Sequence, residues 1–307
     1  MNEFQLTTPI VFIIFNRPST TQKVFEEIRK AKPAKLMVIA DGPRWDMVGE
    51  AKNCTAAREV VEQVDWDCEV LKNYSDVNLG IGKRVASGLD WVFSLVEEAI
   101  ILEDDCLPHQ DMFRFFQEML ELYRDDARIM AISGTNYQFG RCRMEYSYHF
   151  SRYAQQWGWA TWRRGWKYYD FEMKLWPEFH ENRYLLDVFG HITASYKHGQ
   201  HHYQLLEGVR DSTYWYDKFE AAYNGVTDTW YYPFLFACLI QYGLIITPNV
   251  NLVSNIGFGP EATNCTTITE LANVPVISME FPLKHPPFII RDVWADEYLQ
   301  SIFVQSC

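Results

Sequence analysis

The stretch Ala99–Pro108, AIILEDDCLP, joins a run of apolar residues to three consecutive carboxylates. The apolar run is typical of a strand that is buried on both faces of a parallel sheet, and Pro108 ends the pattern. Glu103, Asp104 and Asp105 repel one another and lose hydration there unless a cation or hydrogen-bond donors meet them. The stretch therefore predicts a strand end that carries a divalent-metal site and a metal-held phosphate. A solvated acidic loop is the alternative.

Two earlier apolar runs, at 9–15 and 36–40, also lead into polar residues. Segments with the apolar spacing of helices separate the runs, and this alternation up to about Ser133 predicts an α/β fold with a mostly parallel central sheet. Ligands of such sheets bind outside the carboxyl ends of the strands. We therefore expect one ligand-binding rim, formed by the strand ends Phe15-Asn16-Arg17, Asp41-Gly42 and Glu103-Asp104-Asp105.

The composition limits the classes of function. The chain has 307 residues with a net charge of −12, and 16% of its residues are aromatic. An acidic chain is poorly suited to bind nucleic-acid phosphates, so we expect no nucleic-acid partner. Aromatic rings suit both a core and the stacking of sugars or bases. The regular alternation ends near residue 135, which predicts one domain with a regular half, 1–135, and an aromatic half, 136–307.

The cysteines and the apolar stretches bear on location. The seven cysteines are scattered without CxxC spacing, which is typical of free thiols in a reducing compartment. The start, MNEFQLTTP, lacks the basic and apolar regions of a signal peptide. The most apolar stretch, 231–246, is short for a membrane span, and we interpret it as a buried helix followed by a strand. We expect a cytoplasmic protein without a transmembrane segment, which leaves room for peripheral association with a membrane.

Four segments, in this order, resemble the GT-A glycosyltransferases: FIIFNRP at 12–18, VIADGPR at 38–44, NLGIGKRVASGLDWVF at 78–93 and ILEDDCLP at 101–108. The EDD form is similar to that of the N-acetylglucosaminyltransferase I type. The NLGxGxxxxxG pattern resembles bacterial transferases of sugar-polymer synthesis. WGWATWRRGW at 157–166 and PNVNLVSNIGFGPEATN at 248–264 also look like bacterial proteins of this kind.

The resemblance implies the GT-A fold, the Rossmann-like fold of nucleotide-diphospho-sugar transferases, with the nucleotide sugar bound by 1–135 and the acceptor by 136–307. It implies transfer of a hexosyl or N-acetylhexosaminyl group from a nucleotide-diphosphate donor, with a UDP-sugar favoured, in glycan biosynthesis. The acceptor would be a hydroxyl of a glycan, a lipid-linked saccharide or a protein, and the anomeric centre would invert. The cofactor would be Mn²⁺ or Mg²⁺, which suits oxygen ligands.

The resemblance also assigns roles to the acidic triplet. Asp105 would ligate the metal directly, Asp104 would bind the ribose, and Glu103 would support the nucleotide or the waters of the metal. A hard cation held there neutralises the leaving diphosphate as its bond to the sugar breaks.

The first two strand ends would cradle the base and the ribose. Phe15, Asn16 and Arg17 belong to the first strand end, with Arg17 toward the diphosphate. Asp41, on the second, would accept a hydrogen bond from the base or the ribose, and Gly42 would let the backbone pass close to the ligand. A plain Asp-Gly turn is the alternative for this pair.

The segment Asn78–Arg84 opens a predicted helix. Gly80 and Gly82 leave an open backbone at the helix start, where N–H groups attract anions, and Lys83 adds positive charge. Nucleotide contact by Gly80 and Lys83 is one interpretation, and a loop that only starts the helix is the other. The P-loop pattern GxxxxGK[ST] is absent.

Asp228 best matches the catalytic base of the resembling transferases, ahead of Asp217 and Glu220. Inverting transfer needs one group that takes the proton of the acceptor hydroxyl. A compatible alternative is that Asp228 caps the helix predicted for 230–240, because Asp is a favoured N-cap residue.

Three tryptophans of the second half, Trp157, Trp159 and Trp230, are predicted to bind the acceptor sugar through an apolar platform. Core packing is the alternative, because Trp is often buried. Related sequences often carry a histidine near Asn264, and its absence here leaves any additional metal ligand in doubt. The histidine-rich run 197–202 does not match metal-binding spacing, and we expect a polar loop or a helix start there.

Two further classes of function stay open. A sugar nucleotidyltransferase would use a similar sheet, but the glycine-rich loop that it needs early in the chain does not occur in FNRPST. A catalytically inactive carbohydrate- or nucleotide-binding protein would keep the fold, although the intact acidic triplet favours an enzyme.

Overall fold

A computed structural model describes residues 4–189, 191–197, 200–206, 208–259 and 269–305, and their side chains except those of 191–211 and 305. The strands are β1 (Ile10–Ile14), β2 (Lys35–Ala40), β3 (Glu69–Tyr74), β4 (Glu98–Glu103), β5 (Cys106–Pro108), β6 (Ile129–Ser133), β7 (Tyr148–Ser151), β8 (Trp159–Trp162), β9 (His191–Lys197), β10 (Gln200–Leu206), β11 (Leu244–Pro248) and β12 (Val253–Asn255). The helices are α1 (Pro18–Ala31), α2 (Glu50–Val61), α3 (Ile81–Leu95), α4 (Gln110–Leu122), α5 (Arg163–Trp166), α6 (Trp176–Glu181), α7 (Tyr184–Phe189), α8 (Gly208–Tyr223), α9 (Tyr231–Ile240) and α10 (Val293–Gln305).

A large mixed sheet forms the centre of the protein, with strand order β3-β2-β1-β4-β8-β6-β11-β7. The four strands β3, β2, β1 and β4 pair in parallel, and β6 pairs in parallel with β11. β8 runs antiparallel to its neighbours β4 and β6, and β7 runs antiparallel to β11. All strands of this sheet except β7 and β8 therefore point the same way, which confirms the predicted α/β class with a mostly parallel sheet.

The sheet is buried on both faces because its strands carry apolar residues at successive positions. In β1, Val11 and Ile13 belong to one apolar cluster, while Ile10, Phe12 and Ile14 belong to the other. Helices α3, α5 and α9 contribute to the first cluster, and α1, α2 and α4 contribute to the second. Because helices cover both faces of the sheet, a ligand reaches it at the ends of the strands, and ligands of such sheets bind at the carboxyl ends.

The register of the sheet brings the three predicted strand ends to one level. Ile14 pairs with Ala40, so Phe15 and Asp41 leave β1 and β2 side by side. Ile13 pairs with Glu103, which places the acidic triplet at the end of β4 beside the same rim. The predicted common rim is therefore confirmed.

Some elements differ from their prediction. Regular structure continues after the acidic triplet, because β5 pairs with β12 in a separate two-stranded sheet. The strand predicted for 248–253 is wrong for 249–252, since β11 ends at Pro248 and β12 begins at Val253. The side chain of Asn251 accounts for the break, because its amide donates to the carbonyl oxygens of Val253 and Val274 instead of lying in a strand.

The described residues of the histidine-rich run, Lys197 and 200–202, lie in strands β9 and β10 rather than in a loop or a helix start. β9 ends at Lys197 and β10 begins at Gln200, and the two pair antiparallel along seven residues each. His198 and Gly199 lie outside the described residues. The prediction failed because a polar run looks like a loop until its strand partner is known.

Strands from before and after residue 135 join the same central sheet. The division at residue 135 into a nucleotide-sugar half and an acceptor half stays a prediction. None of the helices that the structure describes is long and apolar enough to cross a membrane.

Candidate nucleotide-sugar site

A cavity of about 460 Å³ opens at the rim where β1, β2 and β4 end. The first turn of α3 and the segment that precedes α9 close its other sides. The volume lies within the range of small-ligand pockets. Its lining contains these residues predicted from the sequence: Phe15, Arg17, Asp41, Gly80, Glu103, Asp104 and Asp228.

Arg17 connects the acidic triplet to the first strand end. Its Nη1 lies 2.9 Å from Asp105 Oδ2, and its Nη2 forms an ion pair with Asp104 Oδ1. Burial lowers the pKa of Arg17, but Asp104 and Asp105 outweigh this effect, so the pKa is raised and the guanidinium stays charged. The backbone N–H of Phe15 also donates to Asp104 Oδ2 at 3.3 Å. The two aspartates are therefore held by groups of the first strand end.

The environments of the three acids differ. The pKa of Glu103 is raised to about 8, mainly by burial and also by the neighbouring charges of Asp105 and Asp104. Arg17 and, to a smaller extent, the side chain of Trp230 oppose the rise. Burial also raises the pKa of Asp104, to about 6, against the lowering effect of Arg17. These raised pKa values mean that burial and mutual repulsion disfavour a fully charged triplet beside one guanidinium, and a further cation would favour the charged form.

Among the described residues, no three His, Cys, Asp or Glu side chains come together as a metal-binding group. Mg²⁺ often binds proteins through one or two carboxylates and takes its remaining ligands from water and substrate phosphates. Asp105 and Asp104 already converge on a cationic group, Arg17. A donor set of this kind fits a hard cation that arrives with a diphosphate, and metal binding by Asp105 stays a prediction.

A segment from the second half packs directly on the pair of Arg17 and Asp105. A Cβ atom on Gly257 would lie 2.0 Å from Asp105 Oδ2 and 2.7 Å from Arg17 Nη1, so only glycine fits there. The N–H of Ile256 donates to the carbonyl oxygen of Asp105 at 2.9 Å, which fixes the approach. The sequence motif at 255–259 thus lies against the acidic end of β4, whereas Asn264 lies outside the described residues.

Asp41 fixes the loop that precedes α3. Its carboxylate accepts hydrogen bonds from the N–H groups of Gly42, Leu79 and Gly80 and from the Asn78 amide, at 2.9 to 3.1 Å. Burial raises the pKa of Asp41, and these N–H donors oppose the rise. The carboxylate is thus occupied by protein donors, and its contact with a nucleotide stays a prediction.

Close packing against the loop that follows β3 requires a glycine at position 42. A Cβ atom there would meet the backbone of Val77 at 2.5 Å, so the β2 end can lie against the next loop only as glycine. This close approach joins the two loops that Asp41 holds together.

Asp228 lies at the amino end of α3, far from it in sequence. The N–H of Gly82 donates to its Oδ1 at 2.9 Å. A Cβ atom on Gly80, whose φ is +80°, would lie 2.4 Å from Asp228 Oδ2, and one on Gly82 would lie 2.5 Å from Oδ1. The two glycines therefore make room for this carboxylate, which brings the predicted base to the wall of the cavity.

The predicted capping of the aromatic helix by Asp228 is wrong. The N-cap of α9 is Trp230, without a side-chain cap. Thr229 instead accepts from the N–H of Tyr231 at 3.1 Å. Asp228 caps α3 rather than α9 because the intervening chain turns its carboxylate toward the glycine-rich helix start.

Four of the predicted residues of this site are not in the lining of the cavity: Asn16, Gly42, Lys83 and Asp105, of which Asp105 contacts the lining through Arg17. Lys83 is exposed, whereas its buried neighbour Arg84 lines the wall and donates to the Asn73 carbonyl oxygen at 2.7 Å. Asn16 donates to Glu50 at 2.8 Å instead of facing the cavity. The apolar face of α3, with Val85 one position later, could have indicated that residue 84 rather than 83 points toward the sheet.

Arg44 and Glu50 were missed by the sequence reasoning. Arg44 lines the cavity, and its guanidinium carbon lies 5.9 Å from the centre of the Phe15 ring. Buried Glu50 ion-pairs with Arg44 and so fixes its position. Only the Arg at the end of VIADGPR offered a signal, and nothing local pointed to Glu50 as its partner.

The three predicted acceptor tryptophans occupy different environments. Trp159 and Trp230 are buried and stack on each other, with ring centres 5.2 Å apart. Trp157 is half-buried and packs edge-on against Phe258 at 5.4 Å. The core alternative thus describes Trp159 and Trp230 in this structure, and sugar binding by the three residues stays a prediction.

Comparisons with known proteins give weak structural similarity only. No protein-family model matches the chain, and no curated protein sequence matches it. A protein from Desulfovibrio desulfuricans G20, described as a nucleotide-diphospho-sugar transferase, aligns with 52% of this chain and 64% of its own, at 9% identity and a TM-score of 0.32. HddC from Yersinia pseudotuberculosis aligns with 55% of this chain and 86% of its own, at 9% identity and a TM-score of 0.32.

A UDP-glucose pyrophosphorylase in complex with UDP-glucose aligns with 79% of this chain and 90% of its own, at 9% identity and a TM-score of 0.31. Similarity of this size identifies no family.

Proposed function

We propose that this protein is a glycosyltransferase of the GT-A type that takes its sugar from a nucleotide-diphosphate donor. The observation that carries the proposal is the convergence of three strand ends, the amino end of α3 and Asp228 on one cavity. Each of these parts suits a different portion of a nucleotide sugar. Arg17, Arg44 and Arg84 supply positive charge in the lining of a chain whose net charge is −12.

The diphosphate would lie between Arg17 and the acidic end of β4. A guanidinium gives bidentate hydrogen bonds to phosphate oxygens and is pre-organised here by Asp104 and Asp105. Asp105 would hold Mn²⁺ or Mg²⁺ together with the phosphates, and the cation would supply charge neutralisation for the leaving group. The base and ribose would extend along β1 and β2, past Phe15 and Arg44.

Transfer would be a single displacement with inversion. The acceptor oxygen forms a bond to the anomeric carbon while the bond from that carbon to the diphosphate breaks, and the electron pair leaves on the phosphate oxygen. Asp228 takes the acceptor proton, for which its Oδ2 is available because Gly82 engages Oδ1. Arg17 stabilises the charge that develops on the diphosphate.

The test begins with ligand binding to the full chain. UDP-, GDP-, CMP- and dTDP-sugars are screened by thermal unfolding with and without Mn²⁺, because a ligand of the native state raises its stability. We expect a UDP-sugar to stabilise the protein and Arg17→Gln to bind it about 10- to 150-fold more weakly, as the loss of a charged hydrogen bond predicts. Arg29→Gln on α1, which breaks an ion pair with Glu26 away from the cavity, is the matched control.

The products then separate the candidate activities. A glycosyltransferase releases the nucleoside diphosphate and forms a new glycoside. A sugar nucleotidyltransferase instead forms the nucleoside triphosphate from the donor and pyrophosphate. Donor binding without either product would identify a binding protein, and the absence of binding by any nucleotide sugar would refute the proposal.

A further inference from the structure

A second cavity, of about 300 Å³, lies at the same edge of the central sheet as the candidate donor site. It is lined by residues that follow β6 and β11 and by the start of β7, where β7 pairs with the end of β11. Since β6 and β11 run in the direction of β1 and β4, both cavities open at one rim. Four strand spacings separate β4 from β7, which is roughly 19 Å.

The charged residues of the described lining of this second cavity are three arginines and one aspartate. Arg143 Nε lies 3.8 Å from Asp292, and Arg291 Nε lies 3.5 Å from buried Asp296 behind the lining. Arg141 has no ion pair with any carboxylate in the described part of the chain, and its guanidinium lies 4.2 Å from the centre of the Tyr298 ring. This contact holds Arg141 in place, so the cavity keeps a surplus of positive charge.

Large apolar side chains surround the mouth of this cavity. Phe288 and Ile290 line it and are each 69% exposed. Exposed apolar side chains at a cavity mark a surface that binds apolar groups. The polar groups of the floor are engaged within the protein, since Asn249 pairs with His149 at 2.7 Å and Gln138 donates to the Ala295 carbonyl oxygen at 2.9 Å.

We propose that this second cavity binds the phosphate of a lipid, with the arginines on the phosphate and the apolar mouth on the hydrocarbon chain. A soluble anion would need the arginines but not the apolar mouth, and a neutral lipid would need the mouth but not the arginines. The inference rests on the proposed function, because the bound lipid phosphate would then be the anchor of a lipid-linked acceptor. At roughly 19 Å from β4, the reactive hydroxyl lies several sugar residues from that phosphate.

Vesicle binding by the full chain tests the proposal. Vesicles of phosphatidylcholine alone are compared with vesicles that also contain a polyprenyl phosphate, and we expect binding only to the latter. The double variant Arg141→Gln/Arg143→Gln should weaken binding about 25-fold, at about fivefold for each arginine near an anionic surface. Phe288→Ser/Ile290→Ser should weaken it as well, since it removes the apolar contact.

Arg163→Gln is the matched control for the arginines. Arg163 is partly exposed, ion-pairs with Glu97 and follows β8 at the opposite edge of the sheet, so binding should not change. Because Arg141 and Arg143 are exposed, the double variant should fold normally, which its circular dichroism spectrum can verify.

Four results would overturn the proposal: no binding, equal binding to both kinds of vesicle, full competition by inorganic phosphate, or unchanged binding by the double variant. Competition by phosphate would identify a soluble anion as the ligand, and equal binding would identify general membrane adsorption. Stabilisation by a UDP-sugar is measured on the same variants and should match the wild type. If the wild type binds the donor but not the lipid phosphate, this inference alone is refuted, whereas lipid binding by a wild type that binds no donor refutes the proposed function alone.

Discussion

The Asp228 carboxylate combines a structural role with a proposed chemical role, and two substitutions separate them. Its Oδ1 accepts the N–H of Gly82 at 2.9 Å, in the first turn of α3. Asp228→Asn can keep an acceptor oxygen at this position but removes the charge. Asp228→Ala removes both the acceptor and the charge.

The structural role sets the expected stabilities. Loss of an N-cap hydrogen bond costs about 0.5–2 kcal/mol, and loss of a negative charge near a helix amino end costs about 0.3–1 kcal/mol. The free energy of unfolding should therefore fall by about 0.5 kcal/mol in Asp228→Asn and by about 1.5 kcal/mol in Asp228→Ala. Urea unfolding at equilibrium measures both values, if the denaturant dependence is unchanged.

The proposed chemical role sets a different order. Both variants lack a base, so kcat with saturating donor should fall about 10²- to 10⁴-fold in each of them. Donor affinity should stay the same or increase, because each variant removes a negative charge from a helix end that attracts phosphate. Glu220→Gln is the matched control, since Glu220 accepts from Trp176 at 2.7 Å outside the described lining of the donor cavity.

Two results would refute this reasoning separately. If Asp228→Asn retains kcat within twofold of the wild type, the base is another residue and the proposed mechanism is wrong. If Asp228→Ala is as stable as the wild type, the contact with Gly82 does not stabilise α3. A loss of kcat in Glu220→Gln with normal kcat in Asp228→Asn would instead favour Glu220, the alternative candidate, as the base.

Two further predictions concern buried carboxylates. Asp41→Asn should lower the free energy of unfolding by about 2 kcal/mol, because its NH₂ group would face backbone N–H groups that now donate to the Asp41 carboxylate. Urea unfolding measures this change, with the exposed Asp76→Asn as control. Equal stabilities of Asp41→Asn and the wild type would contradict the prediction. Burial raises the pKa of Asp296 from 3.8 to about 6 against the lowering effect of Ser151, Arg152 and Arg291, so the native state binds this proton more tightly than the unfolded state. Its contribution to stability is therefore complete below pH 3.8 and is lost as the pH rises through about 6, by on the order of 3 kcal/mol. Unfolding between pH 4 and 7 should show this decline in the wild type but not in Asp296→Asn, and parallel pH profiles would contradict the assignment.

The rim was predictable from the sequence because the signals that define it are local. Uninterrupted apolar runs such as 9–15 and 99–102 favour strands buried on both faces, and the polar residues that follow such strands lie at the strand ends. Parallel connections then place Arg17 and Asp104 at one edge without further information. Their ion pair, 87 residues apart, follows from topology rather than from any sequence spacing.

The remaining site residues depend on contacts that have no local signal. Among the described residues, Glu50 contacts Asn16 and Arg44, and its place at the start of α2 gives no sequence signal for either contact. The tryptophans were ambiguous for a different reason, since burial and sugar stacking favour the same side chain. Only the packing of Trp159 against Trp230 decides between these uses in the folded chain.

The glycines of NLGIG illustrate why a motif alone does not determine its ligand. Two glycines at a helix start suggest a phosphate, because they expose N–H groups to an incoming anion. In the folded chain an anion of the protein itself already lies there: Asp228 accepts from Gly82, and a Cβ atom on Gly80 or Gly82 would displace it. A phosphate that approached this helix end would meet a carboxylate at close range and be repelled. The amino end of α3 is therefore better suited to hold the proposed base beside the sugar than to hold the diphosphate. The leaving group would bind at Arg17, where the proposed cation would offset the carboxylates at the end of β4.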